Sequence, residues 1–169
     1  MNLLACDNKE SEQNSRAESM GKTACDLLTE NDVSNAIGQK VVDAGHYTDY
    51  DCKYKTVEEP GRMVILRMTM PAFNVSPEQA LTNHVKTMKA GLAEDENTYK
   101  YATVSDVGDL AITEEHLGTS GSLVLVVFKS VKAQGKNATT TLTIQLVDFE
   151  KEKASQYAKA LALKALQHV

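Results

Sequence analysis

The segment Ser122-Leu123-Val124-Leu125-Val126-Val127-Phe128-Lys129-Ser130-Val131-Lys132 decides the fold class. From Leu123 to Phe128 every position is apolar, so an extended chain would carry hydrophobic side chains on both faces. Such a strand belongs at the centre of a sheet that is covered on each side. Downstream, Gly135-Lys136-Asn137 reads as a turn, and Thr140–Val147 alternates Leu142, Ile144 and Leu146 with Thr141, Thr143 and Gln145. Upstream, Tyr99–Val104 and Leu110–His116 read as strands on either side of the turn Val107-Gly108-Asp109.

Earlier strands are expected at Lys40–Ala44, Asp51–Val57 and Arg62–Met70, with Pro60-Gly61 as a turn. In the third of these, Val64, Leu66, Met68 and Met70 fall on one face and Arg67 and Thr69 on the other. Helix signals separate the strands. Thr29 is a good N-cap for a short helix over 30–37, with the apolar stripe Val33, Ala36, Ile37 and with Gly38 just beyond its end. Ser76-Pro77-Glu78-Gln79 starts a second helix over 77–93, capped by Ser76 and stripe-forming at Leu81, Val85, Met88 and Leu92. A third runs from about Glu150 to Gln167, with Tyr157, Ala158, Leu161, Ala162, Ala165 and Leu166 on its apolar side. Together these give an α+β class: an antiparallel sheet of about six to seven strands, flanked by a short N-terminal, a central and a C-terminal helix. The two long helices are expected on one face or at the sheet edges.

The 169 residues suit a single domain, taken as residues 24–169. A net charge of -5 argues against nucleic acid as a partner, since phosphate binding needs a surplus of Lys and Arg. No apolar run approaches the length that spans a bilayer.

Leu3-Leu4-Ala5-Cys6 resembles the bacterial lipobox, in which the cysteine thiol is alkylated with diacylglycerol and becomes the new N-terminus. Each buried acyl CH₂ contributes about 0.8 kcal/mol, and two chains hold firmly where one does not. Only five residues precede Cys6, whereas a signal peptide needs a basic stretch and an apolar core; this reading therefore expects a start upstream of Met1, with 1–6 as its remnant. An ordinary cytosolic N-terminus that happens to read Leu-Leu-Ala-Cys is the alternative. Residues 7–23 are almost wholly polar and read as a disordered tether, about 20–25 Å in mean span. Asp7 after Cys6 resembles an inner-membrane retention signal, so the protein is expected in the bacterial cell envelope, on the periplasmic face of the inner or outer membrane.

Cys25-Asp26-Leu27-Leu28-Thr29, the short helix ending at Gly38, and Cys52-Lys53-Tyr54 together resemble a group of secreted bacterial lipoproteins best known from actinobacteria. Many of its members are domains of unknown function. Val107-Gly108-Asp109-Leu110-Ala111 looks like their Gly-Asp-x-Ala turn, and Glu150–His168 like their closing helix. The resemblance covers roughly residues 24–168, although this chain is richer in Lys and poorer in Pro than many members. It implies a PsbP-like fold, that of the extrinsic P protein of photosystem II, and no catalytic residues or cofactor. It also implies a disulfide between Cys25 and Cys52. An exported protein with three Cys leaves one over, and lipidation of Cys6 accounts for it. Two buried free thiols in a cytosolic protein remain the alternative.

The stretch His46-Tyr47-Thr48-Asp49-Tyr50-Asp51 concentrates groups able to bind a metal or ligand, so His46, Tyr47, Asp49 and Asp51 are candidates; a polar hairpin turn explains them equally well. His84 reads as a packed, hydrogen-bonded residue, Glu114-Glu115-His116 as strand-end surface, and Asp109 as a turn aspartate bonding its own backbone. Gly118-Thr119-Ser120-Gly121 reads as a turn, because a strand rather than a helix follows it. The leading functional expectation is a non-catalytic envelope lipoprotein, anchored to a membrane and binding a small ligand or an envelope protein. A periplasmic immunity or inhibitor protein and a hydrolase with a scattered site are the alternatives.

Overall fold

The computed structural model describes residues 23–91, 99–116 and 122–169. Among these the chain forms strands β1 (Val41–Gly45), β2 (Asp51–Thr56), β3 (Met63–Met68), β4 (Ala72–Phe73), β5 (Tyr99–Thr103), β6 (Leu110–His116), β7 (Ser122–Ala133) and β8 (Lys136–Val147). The helices are α1 (Glu30–Ile37), α2 (Pro77–Gly91) and α3 (Lys151–Ala165), preceded by a 3₁₀ turn at Ala24–Asp26. The strands make one antiparallel sheet in the order β1-β2-β3-β8-β7-β6-β5, with β4 also paired to β8. The architecture is the expected α+β class with one strand more than the upper expectation.

Strand β7 is covered on both faces, as its sequence requires, but β8 rather than β7 stands in the middle of the sheet. Leu123, Leu125 and Val127 join the main core on one face, while Val126 and Phe128 form a second cluster on the other. On the main face, α1 and α3 pack over Cys52, Tyr54, Val64, Leu66, Leu142, Ile144 and Leu146. Helix α3 buries Ala154, Ala158, Leu161, Ala162 and Ala165, whose small side chains let it lie close to the sheet. Each fully buried Leu or Val side chain contributes roughly 1.5–3 kcal/mol relative to exposure. Helix α2 lies on the opposite face, with Ala80, Leu81 and Val85 against Ile112, Val126 and Phe128. The two long helices thus cover opposite faces, not one face or the edges. Apolar side chains on both sides of β7 demand that division.

Helix boundaries follow the caps. Thr29 and Asp32 form a reciprocal capping box, and Gly38 ends α1 in the left-handed region at φ 69°. The Ser76 amide donates to Gln79 Oε1 at 3.0 Å, and the Gln79 amide donates to Ser76 Oγ at 3.3 Å. Other bounds move by a residue or two. The β7–β8 hairpin differs more. Gln134 and Gly135 both take positive φ, 52° and 73°, and form a two-residue turn whose twist suits a tight hairpin. Strand β8 therefore begins at Lys136, where the sequence suggested a longer turn.

Strand β4 escaped the sequence reading. It prolongs the edge that β3 covers, pairing Ala72 and Phe73 with Thr139 and Ala138 after Pro71 interrupts the ladder. The Thr69 amide donates to the Thr141 carbonyl at 2.9 Å and keeps the two pieces in line.

Candidate functional site

Cys25 and Cys52 form a disulfide with Cα atoms 5.1 Å apart. It ties the 3₁₀ turn to β2, where the chain enters the fold. Cys6 and the polar segment up to Lys22 lie outside the described residues, as do Gly118-Thr119-Ser120-Gly121.

His46, Tyr47 and Asp49 fall on the β1–β2 connection and are exposed, Tyr47 at 85%. Asp51, the first residue of β2, is buried beneath that turn. Its Oδ1 accepts the Thr48 amide at 2.6 Å, the Thr48 hydroxyl at 2.9 Å and the Tyr47 amide at 3.1 Å. Burial by itself would raise the Asp51 pKa. The Thr48 and Tyr47 donors and the nearby Lys53 charge outweigh burial and hold the carboxyl below the usual carboxylate value. The Lys53 ammonium sits 3.0 Å from the Tyr47 ring centroid. The Asp49 carbonyl accepts the Ala24 amide at 2.8 Å. The hydrogen-bonding capacity of Asp51 is therefore spent on closing the turn. Among the described residues, no group of three His, Cys, Asp or Glu side chains could hold a metal ion.

Asp109 bonds neighbouring strand β7 instead of its own turn. It accepts the Ser130 amide at 2.6 Å and the Lys129 ammonium at 3.0 Å. Its N–H meets the Phe128 carbonyl at 3.0 Å, so the whole turn docks on β7.

A set of ionisable groups lies between α2 and the sheet. Glu114 is only 5% exposed, and its Oε1 meets His84 Nε2 at 2.6 Å. The sequence reading treated Glu114 as strand-end surface. It is buried because α2 covers the very face of β6 on which it stands. Glu115, one residue on, faces the other way and pairs with Lys151 at 2.8 Å. The His84 ring stands edge-on to Phe128, with centroids 5.9 Å apart. Tyr101 lies directly across the ladder from Glu114. Its hydroxyl is buried without a hydrogen-bond partner among the described residues, and burial followed by the Glu114 charge raises its pKa. Tyr99 stacks on Tyr101.

An imidazole held by a carboxylate can serve as a general base when a substrate or nucleophile sits within reach of it. Here the bonded pair joins α2 to β6. No side chain of α2 is fully buried, so the polar link adds to a thin apolar contact. Beside it, Asn74, Val75, Glu78, Gln79, Thr82 and Asn83 line an open groove of about 410 Å³. Its amides, hydroxyl and carboxylate suit hydrogen bonding to a polar ligand. The sequence marks His84 as hydrogen-bonded, and it is, although half-buried; its partner Glu114 and the groove carry no signal there. Beside the groove the Ser76-Pro77-Glu78-Gln79 cap was a signal for a helix start.

No protein family, curated protein or solved structure matches this chain. The resemblance to secreted bacterial lipoproteins rests on its short motifs alone.

Proposed function

We propose that this chain is a bacterial cell-envelope lipoprotein, anchored through acylated Cys6, whose folded domain is a non-catalytic binding or interaction module. The observation that carries this reading is the Cys25–Cys52 disulfide, formed at the point where the chain enters the fold. Disulfides persist in oxidising compartments such as the periplasm and are rare where thiols are kept reduced. A polar stretch between Cys6 and the domain supports the reading, because it would let the domain stand off a membrane surface. No helix among the described residues is long and apolar enough to cross a membrane, so attachment would fall to the lipid. The groove beside α2 offers Asn74, Glu78, Gln79, Thr82 and Asn83 as hydrogen-bonding groups to a ligand.

Radiolabelled palmitate tests the anchor. The gene is expressed in bacteria with its upstream genomic sequence restored. Label on the wild-type protein that disappears in Cys6→Ser supports the reading, and an unlabelled wild type overturns it. Trapping thiols in intact cells tests the compartment: Cys25 and Cys52 should resist alkylation until a reductant is added.

A further inference from the structure

The sheet has two edges, and the chain treats them differently. At β1, the Val57 amide donates to the Lys40 carbonyl at 2.9 Å. Lys40 and Val42 therefore face β2, and the main-chain groups of Val41 and Asp43 point outward. Side chains of α1 occupy both outward donors. The Val41 amide donates to Ser34 Oγ at 3.1 Å, and the Asp43 amide to Glu30 Oε1 at 2.7 Å. The Gly45 amide is taken by Asp43 Oδ1 at 2.6 Å, where the register shifts. An incoming strand finds no donors there, which is how many proteins block a sheet edge.

At β5 the phase is equally clear. The Val104 amide donates to the Ala111 carbonyl at 2.9 Å, and the Thr113 hydroxyl reaches the Ala102 carbonyl at 3.3 Å. Ala102 and Val104 thus face β6, and the N–H and C=O groups of Tyr101 and Thr103 point away from the sheet. Among the described residues no side chain caps them. Ala102 and Thr103 are exposed. Tyr99 has a further interaction of its own, so the open stretch begins at Tyr101.

We propose that β5 pairs antiparallel with β5 of a second copy, with Ala102 on the two-fold axis. In that register Tyr101 of each copy faces Thr103 of the other, and each such pair exchanges both main-chain hydrogen bonds. The axis falls on a non-hydrogen-bonded pair, where Cα atoms approach to about 4.5 Å. Ala102 puts a small side chain at that close approach. Lys100 lies opposite Val104 of the other copy, so no like charges face each other. A segment that complements itself about one residue suits a closed isologous dimer. It also joins two sheets through a strand rich in the β-favouring residues Tyr and Thr.

Sedimentation equilibrium on the full chain, with its disulfide intact, should show a reversible monomer–dimer equilibrium. Thr103→Pro removes one outward donor per copy without touching the ladder to β6. It should weaken the dimer ~10-fold or more while leaving the circular dichroism spectrum unchanged. Cysteine cross-linking reports the register independently, and remains decisive if the proline variant does not fold. In a Cys6→Ser background, Ala102→Cys should form a covalent dimer on mild oxidation, and Lys100→Cys should not. A chain that stays monomeric at every concentration overturns the proposal. So does a dimer indifferent to Thr103→Pro, or a Lys100→Cys variant that cross-links as readily as Ala102→Cys.

Discussion

The Tyr54 hydroxyl donates to the main-chain carbonyl of Leu28, two residues along β2 from the disulfide at Cys52. Strand β2 therefore grips the entering segment at two points from one face. Leu27 lies between the two grips and Leu28 at the second of them, each only 1% exposed. The N-terminal end of the domain is thus pinned by a covalent bond, a buried hydrogen bond and two core leucines.

Tyr54→Phe should lower stability by about 1–2 kcal/mol, because the Leu28 carbonyl loses a buried donor. Burial, followed by the charges of Asp43, Asp32 and Glu30, pushes the Tyr54 pKa up to about 12. A raised pKa means that the folded state favours the neutral phenol. Its contribution is complete below the unfolded value near 10 and disappears as pH rises toward 12. Tyrosinate absorbance should show Tyr54 and Tyr101 titrating late, and Tyr54→Phe should remove the Tyr54 part of that late amplitude.

Breaking the disulfide should destabilise the domain by about 3–4 kcal/mol, as its sequence separation of 27 implies in the chain-entropy picture. Urea unfolding with and without reductant measures the difference. A shift below about 1 kcal/mol would mean that the reduced, unfolded chain is already compact near these cysteines.

Gly108 separates backbone strain from steric overlap. Its φ is 62°, and an added Cβ would lie 2.4 Å from Val127 Cγ1 and 3.1 Å from the Phe128 carbonyl oxygen. Gly108→Ala should cost about 2–4 kcal/mol, since both the left-handed backbone and the core of β7 resist it. Gly38 has φ 69° and open space around it, so Gly38→Ala should cost only about 1–2 kcal/mol. Thermal melts of the two variants give the comparison, and equal losses would contradict it.

Acid should weaken the β1–β2 turn. The Asp51 pKa is depressed below its ordinary 3.8, so its contribution is present above that value and is lost as pH falls through the lower folded value. Denaturant midpoints measured from neutral pH down to about pH 2 should decline below about pH 4. Asp51→Asn should be less stable at neutral pH and show a shallower decline. An Asn variant with an unchanged acid limb would remove Asp51 from the account.

Glu114→Ala should free α2. The loss leaves His84 without its partner over the sheet and should cost about 1–3 kcal/mol. Hydrogen exchange should accelerate in α2 and stay unchanged in α3, whose five buried residues hold it to the other face. Uniform acceleration across both helices would show that the pair stabilises the whole domain rather than one helix.

Elements whose signal is local were legible in the sequence. The Thr29 and Ser76 caps, the period of α3 and the alternation in β8 identified their elements, because each depends on neighbours within a few residues. Strand β4 carries too little pattern to be seen, since two residues after a proline become a strand only when β8 lies beside them. The hairpin turn at Gln134-Gly135 was obscured for a related reason. Gln seldom takes a left-handed conformation, and the length of the paired strands imposes it here.

Side-chain roles were less legible than the fold. Asp51 looked like a possible functional group but closes its turn, and Asp109, expected to bond its own turn, fastens that turn to β7. Glu114 looked like surface and is buried against His84. By itself the sequence determined that β7 is an interior strand covered on both faces, that the class is α+β and where the three helices start. It could do so because hydrophobic period and capping are short-range properties. Only the tertiary structure decided that α2 and α3 take opposite faces, that Glu114 meets His84, and that α1 seals β1 while no described side chain caps the outward groups of Tyr101 and Thr103 on β5. Those outcomes depend on contacts between segments far apart in the chain, which no local pattern encodes.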